Sequence, residues 1–235
     1  MEEILRGIPS TVVYQDDICV TGKTDKEHLE NLEKVFQRLE HRGVRLKQKK
    51  CKFLQKSLEY LGYCIDSNGI HTVDKKVEAI VNAPAPKNVS ELRSYLGMIQ
   101  YYSKFIENLS SIVAPLNALL AKDTKWNWSQ TESKAFADSK RLLTVAPVLV
   151  HYDPSVPLKL ACDASPYGIG CVLSHAYSDG SEHPIAFASR SLTDAEKNYA
   201  QIDREALATV WGVKKFHEYL YGQHFTLVTD NKPLS

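Results

Sequence analysis

Five acidic residues define the chemistry open to this sequence. Asp16 and Asp17 stand side by side in TVVYQDDICVTG, residues 11 to 22, inside an otherwise apolar run. Adjacent like charges repel, and the tip of an apolar hairpin has no evident need for both. Asp163, Glu205 and Asp230 are distant in sequence, yet their surroundings place each on a separate element. Carboxylates are hard oxygen donors that suit magnesium or manganese. Two such ions about 3.5–4 Å apart can activate an attacking oxygen and stabilise a leaving oxygen in phosphodiester chemistry. Any one of these acids alone reads more simply as a solvated surface charge. The elements that position them therefore decide the matter.

Val12-Val13-Tyr14, Gln15-Asp16-Asp17 and Ile18-Cys19-Val20 read as two strands joined at an acidic tip. A helix follows. Thr24 and Glu27 have capping-box spacing, Leu29, Leu32, Val35, Phe36 and Leu39 share one face, and Gly43 supplies the stop. The next stretch, HRGVRLKQKKCKFLQK (41–56), holds Arg42, Arg45, Lys47, Lys49, Lys50, Lys52 and Lys56 and no acid. A solvated face is the default reading of such a run. LEYLGYCIDSNGIHTV (58–73) reads as a second hairpin turning at Asp66-Ser67-Asn68-Gly69. Ala83-Pro84-Ala85-Pro86 is a stiff break between subdomains.

Helical spacing then takes over. Leu92, Tyr95, Leu96, Ile99, Tyr102, Phe105 and Ile106 fit one face. Ser129 and Glu132 open a further helix through Phe136, Leu142 and Leu143, with Pro147 beyond its end. From about residue 156 the pattern is of strands: Leu158, Leu160 and Cys162 alternate with Lys159, Ala161 and Asp163. YGIGCVLSHAY and HPIAFASRS continue an antiparallel meander. A long helix is expected from about Asp194 to Tyr219, burying Tyr199, Ile202, Ala206, Val210, Val213 and Phe216. The strand HFTLVTD ends at Asp230. If the first and last of these strands are parallel neighbours, Asp163 and Asp230 share one sheet edge, the edge where ligands of α/β sheets bind. Glu205 on the intervening helix would join them.

The bulk numbers narrow the class. A chain of 235 residues suits one large or two small domains. Hydrophobic content of 43% with 24% charged residues is ordinary for a globular protein. The net charge of +1 gives no global attraction to nucleic acid, so any such attraction must be local. Five cysteines without a Cys-x-x-Cys indicate neither a disulfide framework nor a zinc ribbon. The N-terminus is acidic and lacks a signal peptide's pattern. No apolar run approaches the ~20 residues of a membrane helix. A soluble intracellular protein with no membrane partner is expected.

The motif contexts carry a resemblance. Asp-Ala-Ser at 163, Asp-Arg-Glu-Ala-Leu-Ala around Glu205 and Thr-Asp-Asn-Lys-Pro-Leu at 230 resemble ribonuclease H domains of gypsy-type long-terminal-repeat retrotransposons. Tyr14-Gln15-Asp16-Asp17 resembles the Tyr-x-Asp-Asp hairpin of reverse transcriptase palms. V-x-L-K-x-x-K-C-x-F, Y-L-G-Y-C-I-D-x-x-G-I and L-R-S-Y-L-G-M-I-Q-Y-Y-S-K-F-I follow in the order of that family. The resemblance covers essentially the whole chain.

It implies an RNA-directed DNA polymerase with ribonuclease H, a segment of a Pol polyprotein that uses magnesium or manganese. The implied fold is mixed α+β and α/β: a partial palm (1–82), thumb-like helices (83–124), a connection (125–155) and a ribonuclease H-like mixed sheet with a long helix (156–235). The implied catalytic and metal residues are Asp16, Asp17, Asp163, Glu205 and Asp230. Tyr14, the basic residues Arg45, Lys47, Lys49, Lys50 and Lys52, and the primer-grip-like Leu61, Gly62 and Tyr63 would contact RNA template, DNA primer or RNA/DNA hybrid. The rest of the polyprotein is a further expected partner. The family places another palm aspartate and the fingers upstream, and a fourth ribonuclease carboxylate downstream. The chain therefore reads as a fragment truncated at both ends, with little polymerase activity of its own. A non-catalytic nucleic-acid-binding remnant is the alternative.

Overall fold

Strict alternation in a half-covered strand survives in the computed structural model, which describes residues 1–230. Along Leu158–Ala164, residues 158, 160, 162 and 164 are buried, and 159, 161 and 163 are not. The chain divides into two units, between Gly62 and Tyr63.

The first unit holds α1 (Glu2–Leu5), β1 (Thr11–Tyr14), β2 (Asp17–Val20), α2 (Asp25–His41) and β3 (Ser57–Tyr60). Strands β1 and β2 pair antiparallel, from Thr11↔Val20 to Tyr14↔Asp17. Gln15 and Asp16 thus form a two-residue turn, with Gln15 at φ 52°. Leu5, Ile8, Val35 and Leu39 make this unit's small core. The face of α2 differs from expectation. Leu29 and Phe36 are exposed, while Asn31 is buried and donates from Nδ2 to Thr21 O at 3.1 Å. Thr24 accepts from the Glu27 N–H as predicted, but the Glu27 carboxylate reaches past Thr24 to the Lys23 N–H.

The second unit runs from Tyr63. A hairpin of β4 (Tyr63–Asp66) and β5 (Ile70–Thr72) turns where Asp66 Oδ1 accepts from the Asn68 and Gly69 N–H groups. Helices α3 (Asp74–Val81), α4 (Val89–Tyr101), α5 (Leu109–Ile112), α6 (Ala114–Ala118) and α7 (Gln130–Thr144) follow. Their core includes Leu92, Tyr95, Ile99, Tyr102, Phe105 and Ile106, all on the predicted face. The regular helix stops at Tyr101, and a 3-10 turn carries Ser103–Phe105. The Ser129–Glu132 capping box is complete. The unit begins with β4 rather than at the proline break because Tyr63 packs into this core. Its ring stacks on Tyr101 at 5.1 Å and meets Phe105 at 5.9 Å.

The remaining elements are β6 (Leu158–Ala164), β7 (Gly168–Ala176), β8 (Glu182–Ser191), α8 (Asp194–Lys197), α9 (Gln201–Lys215), α10 (His217–Leu220) and β9 (Phe225–Val228). The strand order is β8-β7-β6-β9, antiparallel except for β9, which lies parallel to β6. The helix expected over 194–219 is three helices, with α8 opened by a Thr193–Glu196 capping box. Its buried stripe also differs. Tyr199, Ile202 and Val210 are exposed, and Glu205, Ala208, Gly212, Phe216 and Leu220 face inward. Small residues let α9 lie close on the sheet: a Cβ on Gly212 would stand 2.8 Å from Cys162 Sγ.

Candidate active site

Strand β9 pairs with β6 in a parallel register ending at Ala161↔Val228. Two residues further along each strand lie Asp163 and Asp230, so the two strand ends present both acids side by side. Helix α9 packs on β6 and β7 and supplies Glu205. One carboxylate oxygen from each of Asp163, Glu205 and Asp230 lies within 4.8 Å of the others. Asp163 and Asp230 are exposed and Glu205 is buried.

The environment of Glu205 is that of a buried charge awaiting a counter-charge. The residue is 2% exposed. Oε1 accepts from Gln201 Nε2 at 2.5 Å, and Arg204 Nη2 in turn donates to Gln201 Oε1 at 2.7 Å. Oε2 is buried without a hydrogen-bond partner. Burial, and then the charge of Asp230, push the Glu205 carboxyl above its usual range; the Gln201 hydrogen bond offsets part of this, Asp163 adds a smaller push, and the Ala164 backbone a smaller offset. A buried oxygen left without a donor carries a desolvation cost. A divalent cation would remove both that cost and the mutual repulsion. Three hard oxygen donors from three elements fit magnesium or manganese and do not fit a soft metal. Gln201, which orients Glu205 and also donates to Ala164 O, was not anticipated from sequence, where an exposed-looking glutamine carries no signal.

Asp16 and Asp17 sit where the pattern placed them, exposed at the turn of β1 and β2. Among the described residues, no third His, Cys, Asp or Glu completes a cluster with them. Tyr14 is also exposed. Tyr60, unforeseen from sequence, has its hydroxyl buried and unpartnered. Burial, then the neighbouring Cys19, Asp17 and Glu2, raise its pKa. The basic residues Arg42, Arg45, Lys47, Lys49, Lys50, Lys52 and Lys56 are all exposed. No ion pair among the described residues engages these basic side chains, while Val44 in the same run packs on the first unit's core. Leu61 (φ 46°) and Gly62 (φ 72°) make a tight turn of consecutive positive φ. Tyr63 instead joins an aromatic stack, with Lys104 Nζ 3.6 Å from its ring centre.

Comparison with known proteins agrees with this layout. Residues 1–65 match the family described as reverse transcriptase (RNA-dependent DNA polymerase), and residues 128–227 match the RNase H-like domain found in reverse transcriptase. The Tf2-3 and Tf2-7 transposon polyproteins of Schizosaccharomyces pombe are each 34% identical over 225 residues, 95% of this chain. The chain spans 17% of the length of those relatives. Among solved structures, the foamy viral protease-reverse transcriptase dRH in complex with double-stranded DNA superimposes with a TM-score of 0.84. It is 27% identical, over 99% of this chain and 42% of the viral one. The foamy viral protease-reverse transcriptase in complex with RNA/DNA hybrid gives a TM-score of 0.81 at 27% identity, over 99% of this chain and 32% of that one. The chain therefore joins a segment matching the reverse transcriptase family to an RNase H-like domain of the kind found in reverse transcriptase, and it resembles the corresponding part of gypsy-type retrotransposon polyproteins.

Proposed function

We propose that this chain is the part of a retroelement polymerase that grips a primer-template and hydrolyses the RNA strand of RNA/DNA hybrid. The observation that carries the second role is the convergence of Asp163, Glu205 and Asp230 around the unpartnered Glu205 Oε2. Divalent magnesium or manganese, when bound there, polarises the scissile phosphate and lowers the pKa of an attacking water. The protein's own contribution is placement. The ends of β6 and β9 set two acids, the packing of α9 sets the third, and Gln201 fixes the orientation of Glu205. In the first unit, Asp16 and Asp17 are the proposed metal-holding acids for nucleotide transfer. Tyr14 and the Leu61-Gly62-Tyr63 segment are the proposed primer contacts. Residues 1–82, 83–124, 125–155 and 156–235 are the proposed palm, thumb, connection and ribonuclease parts of the polyprotein. Residues 231–235, which include the end of the last motif, lie outside the described residues. An intracellular setting is supported by five free cysteines. Among the described residues, no helix is long and apolar enough to cross a membrane.

Titration with manganese, followed calorimetrically, tests the acid site. Saturable binding is expected for the parent, and none for Asp163→Asn. Equal binding by both would end the proposal.

The basic run makes a second, separate expectation. Each phosphate that Lys or Arg neutralises adds about 0.9 to the slope of log affinity against log salt on a B-form duplex. Exchanging Lys49, Lys50 and Lys52 together for Ala is therefore expected to flatten the salt dependence of hybrid binding by about 2–3 in slope. Fluorescence anisotropy across a salt series measures it. An unchanged slope would leave the run a solubility feature only.

A further inference from the structure

Asn108 stands at the N-terminal end of α5 but does not cap it, since its side chain makes no bond to that helix's first amides. Instead, Nδ2 donates to Asp163 Oδ2 at 3.3 Å. The Asn108 backbone is at φ 51°, in the left-handed region that Asn enters more readily than most residues. Directly across the β6–β7 ladder from Asp163 is Gly170. A Cβ at that position would collide with Asn108 Oδ1. One strand turn away, a Cβ on Gly168 would stand 2.5 Å from Ser110 Oγ. The two glycines of β7 thus open a slot that the Asn108–Ser110 segment fills. The segment is pinned there: the Ser110 N–H donates to Ser189 Oγ at 3.0 Å, and the Ser111 and Ser165 hydroxyls lie 2.7 Å apart. Glu107 and Asn108 line one cleft together with Asp163 and Gly170.

We propose that Asn108 is a positioning residue of the carboxylate site, its amide holding the Asp163 side chain turned toward Glu205 and Asp230. The inference rests on the cation reading of those three acids. Asp163 is exposed at a strand end, so nothing in the sheet itself restricts its side chain. A hydrogen bond to one carboxylate oxygen restricts it before any ion arrives. Hydrogen bonds of this outer kind orient ligating carboxylates, and losing one lowers metal affinity by about 10–100-fold. The slot gives the effect a long-range origin: an element of the helical region, more than fifty residues upstream, sets the geometry of an acid on the sheet.

Two variants of the full chain test this by manganese affinity and by metal-free melting temperature. Asn108→Gly keeps the backbone conformation available and deletes only the amide. Gly170→Ala leaves all three acids and Asn108 in place but pushes the amide out of its slot. Both are expected to bind manganese about tenfold or more weakly, with unchanged stoichiometry. Asn108→Gly should melt no lower than the parent without metal, because glycine relieves the left-handed backbone. Parent-like manganese affinity in Asn108→Gly overturns the proposal, whether or not Gly170→Ala folds. If the parent binds manganese and Asp163→Asn does not, that failure falls on Asn108 alone. If the parent itself binds none, the carboxylate reading fails and the role of Asn108 falls with it.

Discussion

Glutamine in place of Glu205 should make the metal-free protein more stable. The substitution keeps the shape and lets Gln201 still donate to the retained carbonyl oxygen. It removes a buried charge whose second oxygen has no donor and which faces Asp230 and Asp163. Relieving one unsatisfied buried group is worth about 1–3 kcal/mol. The pH dependence has a definite sign. The folded carboxyl titrates above its ordinary 4.5, so between 4.5 and its raised value the folded state holds more protons than the unfolded state. Stability from this group is present below 4.5 and is lost as pH rises through the folded pKa. The parent without metal should therefore melt higher at mildly acidic than at neutral pH, and Glu205→Gln should flatten that difference. Manganese should raise the melting temperature of the parent at neutral pH and leave the variant unmoved, since a ligand that binds only the native state stabilises it. A variant that melts lower than the parent in the absence of metal, at both pH values, would mean that Glu205 is already satisfied.

Valine at position 212 should markedly lower the stability of the second unit. Glycine inside a helix costs about 1 kcal/mol against alanine, yet Gly212 sits inside α9, before its last three residues. The reason is the close approach to the sheet. A Cβ there would stand 2.8 Å from Cys162 Sγ and 3.3 Å from Cys171 Cβ, on two strands paired at those very residues. Overpacking of this sort costs about 1–3 kcal/mol, occasionally more. Lifting α9 would also withdraw Glu205, which is two turns away on the same buried stripe, so the manganese response should fall together with stability. Cys162→Ala in the same chain removes the nearest atom and should restore part of the loss. Denaturant unfolding of the two single variants and the double variant measures the coupling. Strict additivity, or a Gly212→Val protein as stable as the parent, would show that the contact is not limiting.

Gly212 also shows what the sequence could and could not reveal. The alternation of β6 is a period-two signal, and it predicted both the strand and the outward position of Asp163. The sequence left the parallel pairing that brings Asp163 and Asp230 to one edge as a condition, and the structure meets it. The inward face of α9 was not legible, because hydropathy favours the large apolar side chains Tyr199, Ile202 and Val210. Close helix–sheet packing selects Ala208 and Gly212 instead, with Glu205 buried on the same face. The same conflict moved the face of α2, where Asn31 displaces Leu29 because its amide satisfies a backbone carbonyl. The bond from Asn108 to Asp163 had no local signature at all. It depends on two glycines in β7 whose meaning appears only once the helical segment lies over them.

The parallel pairing of β9 with β6 has a consequence for the order of events during synthesis. Strands β6, β7 and β8 are joined by short connections and can pair as soon as they emerge. Strand β9 joins β6 only after the meander and three helices have been made. Such non-local pairings form late, because the closure entropy precedes the contact that rewards it. Asp163 is therefore positioned by local pairing, while its approach to Asp230 waits on the closure of the long loop between β6 and β9.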